Sequence, residues 1–292
     1  MDYIVRAIDE SGSIKISAGI TTGVVEKARV THNLSRTASS ALGRTLTAGL
    51  LMTNSLKNEK DSITININGD GPIGRIVVTG KNDGKIKGYV NNPLADKPIR
   101  ESDNKIDVGA LVGKGILTVV TDMGLKEPYV GQVNLVSGEI AEDIANYLYT
   151  SEQIPSAVGL GVLVDVDYTI KAAGGFILQL LPNAEEEVIS LIEDNLKDLG
   201  NVSQLISLGH SAEDIINLIL KGLKVKFLDV KEVYYECDCS EEKVESALIA
   251  LGKDELENIL EEDGKVELSC HFCNKKYTFD KEELNNMITK LV

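Results

Sequence analysis

Four thiols are the groups in this 292-residue chain whose type and spacing suit chemistry: Cys237, Cys239, Cys270 and Cys273. They read C-x-C, thirty intervening residues, then C-x-x-C, and no cysteine lies elsewhere. Two short arms that each offer two sulfurs suit a tetrahedral zinc ion, whose structural sites take four such ligands. The same closeness suits an oxidant. Thiols one or two residues apart can close into a disulfide, and a sulfur so bonded no longer ligates a metal. His271 lies inside the C-x-x-C, but four sulfurs already complete a tetrahedron, so it reads as a solvent-facing turn residue. A ligand set in which His271 replaces one sulfur is the alternative. Spacing alone favours a plain structural ribbon. A thioredoxin-like redox centre places its C-x-x-C at a helix start, whereas strand-like Lys276-Tyr277-Thr278-Phe279 comes after this pair.

Other motifs carry less. Gly69-Asp70-Gly71-Pro72-Ile73-Gly74 matches the G-x-G-x-x-G of dinucleotide-binding folds, but that fingerprint needs a helix next. The next residues, Arg75-Ile76-Val77-Val78-Thr79, are rich in β-branched side chains and predict a strand-to-strand turn instead. No G-x-x-x-x-G-K-[ST], H-E-x-x-H or G-x-S-x-G occurs. The three histidines, His32, His210 and His271, read as capping or surface groups. The residues thus suggest no active site and no enzyme.

Composition narrows the function classes. The formal net charge of −15 opposes nucleic-acid binding, which depends on Lys and Arg. Residues 231–292 carry eight Lys/Arg and sixteen Asp/Glu. Tryptophan is absent and aromatics make up 4%, so base-stacking platforms are scarce. No run approaches the ~18 apolar residues of a membrane span. The Met1-Asp2-Tyr3-Ile4 start lacks a basic segment ahead of an apolar one, which leads to the expectation of a cytosolic, reducing environment.

The elements that must position the thiols read as an α+β chain of three parts. These are an N-terminal α/β core domain (1–182), a helical linker (183–230) and a small C-terminal zinc-binding domain (231–292). In the first part, Tyr3–Ala7 and Ile14–Ser17 predict a hairpin. Residues from Leu34 to Leu51 recur at helical spacing with one apolar face. Segments 62–68, 75–79 and 86–90 alternate as strands, a second helix opens after Ser137, and Leu160 to Ile170 reads as a single strand. The linker reads as three helices, 188–199, 202–208 and 211–223, the first capped by Asn183 and the last by a capping box from Ser211 to Asp214. Their narrow Ile/Leu stripes must lie on a neighbour. They are either simple packed connectors or a metastable layer exposed when its support fails. In the last part Ser240 caps a helix to Leu251, a short helix runs from Asp254 to Glu262, and 266–269 and 276–279 make strands around the cysteine turn. Asp280 caps a final helix with Glu283 three residues on.

Taken together, these residues resemble a known family. Glu236-Cys237-Asp238-Cys239-Ser240, the thirty-residue spacer, and Cys270-His271-Phe272-Cys273 with Tyr277 and Phe279 look like the redox-switch domain of the heat shock protein 33 (33 kDa chaperonin) family. The strings 115–120, 129–131, 135–143, 151–156 and 174–182 resemble its N-terminal domain, and in order they cover almost the whole chain. The resemblance implies an ATP-independent holdase chaperone that is inactive when reduced and zinc-bound. It implies one Zn²⁺ held by Cys237, Cys239, Cys270 and Cys273. On oxidation it implies disulfides Cys237–Cys239 and Cys270–Cys273, zinc release, unfolding of the C-terminal part and the linker, and homodimerisation. The implied partners are unfolding client proteins, with neither nucleic acid nor membrane.

Overall fold

In the computed structural model, residues 1–182 and 184–291 are described; the cap expected at Asn183 lies outside them. The elements of the first 182 residues are, in order, β1 (Tyr3–Asp9), β2 (Ile14–Ile20), α1 (Thr22–His32), α2 (Arg36–Thr53), β3 (Ser62–Gly69), β4 (Arg75–Lys81), β5 (Lys85–Val90), α3 (Val108–Val112), β6 (Gly115–Asp122), β7 (Tyr129–Asn134), α4 (Ala141–Thr150), β8 (Ser156–Val164) and β9 (Ile170–Leu180). Then come α5 (Glu186–Leu199), α6 (Val202–Ser207), α7 (Ala212–Ile219), β10 (Val225–Glu232) and β11 (Tyr234–Tyr235). The chain ends with α8 (Glu241–Ile249), α9 (Lys253–Glu262), β12 (Val266–Ser269), β13 (Lys276–Phe279) and α10 (Lys281–Thr289). The mixed α+β class is as the sequence reads. Two compact units divide it, Met1–Glu236 and Cys237–Val292.

The first unit holds two sheets, ordered β10-β1-β2-β9-β8 and β11-β5-β4-β3-β6-β7. Neighbours are antiparallel except β11, which runs parallel to β5. Helix α2 packs on strands of both sheets. It is buried on all sides, not on one apolar face: Ser39, Ser40, Thr45 and Thr47 are as enclosed as Leu42 and Leu46. Small side chains let the backbone approach both sheets. Thr45 and Thr47 satisfy their hydroxyls on the carbonyls of Ala41 and Gly43, at 2.8 and 2.9 Å.

The Gly69–Gly74 segment is the β3–β4 turn, so no cofactor helix opens there. A Cβ on Gly69 would stand 2.0 Å from the Val112 carbonyl oxygen, which explains a glycine by close packing alone. The expectation of one strand from Leu160 to Ile170 fails. That stretch spans the end of β8, a turn in which Asp165 and Thr169 pair, and the start of β9. Its apolar character comes from two strands, and hydropathy alone does not see the turn between them. Helix α1 is absent from the sequence reading because Thr22-Gly23-Val24-Val25 opens it without strong helix formers.

The segment 183–230 is not wholly helical. Three helices form close to the expected bounds, with the Ser211–Asp214 capping box in place, but β10 then adds a strand to β1. Ile215, Ile216, Ile219 and Leu220 are buried with Val5, Ile14, Ile16 and Phe176. The apolar stripes of α6 and α7 therefore lie on the first sheet, α7 against β1 and β2 and α6 against β8 and β9, while α5 packs on α7.

The second unit is small. Leu248, Leu256, Tyr277, Phe279, Leu284 and Met287 form its buried core. Ser240 caps α8 through the Lys243 amide, and Asp280 and Glu283 complete a capping box on α10.

Candidate metal centre

Two pieces of local structure bring the thiols together. Cys237 and Cys239 sit in the stretch just before α8, where the Ser240 cap fixes the direction of the chain. Cys270 and Cys273 sit in the loop of the β12–β13 hairpin, whose register pairs Ser269 with Lys276. Inside it the Cys270 amide donates to the Lys275 carbonyl at 2.9 Å, and the Asn274 amide donates back to Cys270 at 2.8 Å. Asn274 takes a left-handed φ of 59°, tolerated by asparagine and closing the knuckle tightly.

All four Sγ atoms lie within 4.8 Å of one another. Cys237 and Cys270 approach to 3.7 Å, Cys239 and Cys273 to 3.3 Å. Zn–S bonds of ~2.3 Å in a tetrahedron require sulfurs about 3.8 Å apart, so the arrangement fits a four-thiolate metal ion with little adjustment. The four are free thiols, each half-buried. Among the described residues His271 is not in this cluster, and its side chain is exposed.

The surroundings favour charge unevenly. Burial resists ionisation at Cys239, but hydrogen bonds from Tyr277 and the neighbouring thiols outweigh it and lower this thiol to about 7. Burial pushes Cys237 and Cys273 the other way. The Tyr277 hydroxyl donates to Cys239 Sγ at 3.1 Å, and this bond raises its own phenol. Tyr277 is the functional neighbour that spacing arguments missed. Strand alternation could have found it, since Tyr277 and Phe279 share the buried face of β13. Lys243 binds Asp238 at 2.8 Å between the two ligands of the first arm, and Lys275 lies 4.8 Å over the Tyr277 ring.

The remaining histidines play no part here. His32, expected at a cap or on the surface, ends α1, is buried, and meets the Tyr235 hydroxyl at 2.8 Å. Since that hydroxyl donates to the Gly88 carbonyl, His32 Nε2 is the donor to it. The His210 amide closes the turn before α7. Among the described residues no helix is long and apolar enough to cross a membrane.

Comparison with known proteins agrees along the full length. A family model described as Hsp33 protein matches residues 2–280. A 33 kDa chaperonin of Desulforamulus reducens is 50% identical over 99% of this chain and 98% of its own. One from a Thermoanaerobacter species is 50% identical over 98% of each. The crystal structure of a Thermotoga maritima 33 kDa chaperonin superposes with a TM-score of 0.90 at 42% identity, covering 99% of this chain and 98% of that one.

Proposed function

The chain belongs to the Hsp33 family, and from that membership we propose a redox-regulated, ATP-independent holdase that binds unfolding client proteins and catalyses nothing. The observation that carries the regulatory part is the convergence of four sulfurs within 4.8 Å in a unit whose core, among the described residues, has six buried side chains. A unit this short lies below the ~70–80 residues at which a single core suffices without a staple. Cys237, Cys239, Cys270 and Cys273 would hold one Zn²⁺ in the reduced protein. When bound, the ion supplies a cross-link between the two arms, comparable in apparent folding free energy, at roughly 10–16 kcal/mol, to a whole domain.

Under peroxide, two neighbouring thiols lose two electrons and two protons and form one disulfide, while the peroxide takes both up to become two waters. All sulfur pairs are within reach, so the choice of Cys237–Cys239 and Cys270–Cys273 rests on the family resemblance. Sulfurs so bonded can no longer hold a metal, so the second unit would lose the cross-link between its two arms. Unfolding then spreads into the 183–230 segment. Its helices cover the first sheet, so their departure bares two apolar surfaces, the helix stripes and the sheet face around Ile14, Ile16 and Phe176. Exposed apolar area of this kind favours client binding and homodimerisation. The acidic chain, with no membrane-spanning helix among the described residues, suits a cytoplasmic protein that binds neither nucleic acid nor membrane.

The test is to follow zinc release, free-thiol count and suppression of client light scattering before and after peroxide with mild heating. Protection should appear only as about four thiols and one zinc are lost. Equal protection by the reduced protein would overturn the switch, and disulfide mapping after trapping decides the pairing.

A further inference from the structure

Between the two sheets of the first unit, beside the C-terminal ends of α2 and α4, lies a cavity of about 430 Å³. That volume is within the ~300–1,000 Å³ of small-molecule sites. Its apolar wall is built by Leu51, Met52, Ile63, Leu148 and Ile177. Two opposite charges face it, Lys15 from β2 and Glu152 from the turn after α4. Among the described residues neither has a contact ion-pair partner; the Tyr147 hydroxyl favours the Glu152 carboxylate from one side, and each charge sits in the other's field. The nearby Arg6 is not available to replace Lys15, since it binds Asp229 at 2.6 Å and the Asn54 carbonyl at 3.1 Å. Burial opposes both charges, pushing the Lys15 ammonium down and the Glu152 carboxyl up. Gln179, the cross-strand partner of Lys15, adds an amide to the same wall. Gln153, next to Glu152, holds a left-handed φ of 59°, a conformation that costs energy in a non-glycine residue.

The thiol switch uses none of these groups. A fatty acid would pair Lys15 but bring a second carboxylate toward Glu152, and a cationic amphiphile would do the reverse to Lys15. A zwitterion satisfies both. We propose that this cavity binds a short apolar peptide with free termini, its carboxylate on Lys15, its ammonium on Glu152, its amide on Gln179 and its aliphatic side chains against Leu51, Leu148 and Ile177.

The probe is leucylleucine, titrated into the reduced full-length chain by calorimetry or ligand-observed NMR, alongside its N-acetylated and C-amidated forms. The zwitterion should bind, and each cap should weaken it about tenfold or more, as expected for loss of a charged hydrogen bond. Lys15→Met should weaken leucylleucine but leave the amidated form unchanged. Glu152→Gln should do the same with the acetylated form as the indifferent one. Absence of binding at millimolar leucylleucine would overturn the proposal, as would equal binding of the three forms or tighter binding of decanoate. The capped ligands test wild-type protein, so a variant that misfolds does not rescue the idea. The cavity lies wholly within the first unit, and the outcome is independent of the zinc.

Discussion

At the scale of single residues, Tyr277 separates a tuned sulfur cluster from four thiols that merely meet. Its hydroxyl favours the thiolate of Cys239, and partners of metal ligands are typically worth ten- to a hundredfold in affinity. Tyr277→Phe should therefore weaken zinc binding about tenfold, measured by competition with a chromophoric chelator. Loading should fall as pH is lowered in both proteins, because thiols must lose protons to ligate. Cys273→Ser removes one corner of the tetrahedron. Zinc content should drop well below one per chain, and protection of clients should no longer need peroxide. Retention of full zinc by this variant would point to His271 as a substitute ligand. The cysteines themselves were legible from spacing, since ligand chemistry needs only a handful of atoms at close range. Alternation marks Tyr277 as a buried position of β13, but its bond to Cys239 depends on tertiary placement that spacing does not carry.

At the scale of elements, sequence is informative where the pattern is local. β12, β13 and the caps Ser240, Ser211 and Asp280 follow from alternation and side-chain chemistry within four residues. It is silent where tertiary packing decides. The buried Ser/Thr/Gly faces of α2 carry no hydrophobic signal, and β10 exists only because β1 is there to pair with it. That strand has a consequence for the switch. On the proposed function, disorder that starts at the cysteines would have to peel β10 from β1 before it reaches α7, so the linker helices should lose amide protection after the second unit and not with it. Removing the α7 cap by Ser211→Ala should cost about 1 kcal/mol. Activation by peroxide should then proceed at a lower temperature than in wild type, with zinc release unchanged. An unchanged activation temperature would argue that the helix layer does not gate client binding. Away from the switch, Gly69→Ala drives a methyl into the Val112 carbonyl. It should destabilise the first unit by about 3 kcal/mol, read by urea denaturation of the full chain.

At the scale of the whole molecule, two units of unequal self-sufficiency share one chain. The first has two sheets, a helix buried between them and a helix layer on one face. The second has, among the described residues, six buried side chains and the sulfur cluster. Residues 231–292 also carry twice as many acidic as basic groups, eight negative charges in excess, whose mutual repulsion works against a compact metal-free state. The proposed division of labour builds on these facts: a stable platform and an appendage that sulfur would hold only while a metal is bound. The most direct measurement is hydrogen exchange on the reduced full-length protein, zinc-loaded and then stripped by a chelator with all thiols kept reduced. The account requires amides of 237–291 to lose most of their protection on stripping, while those of α2 and β3 keep theirs. Undiminished protection across 237–291 in the stripped, reduced protein would contradict it.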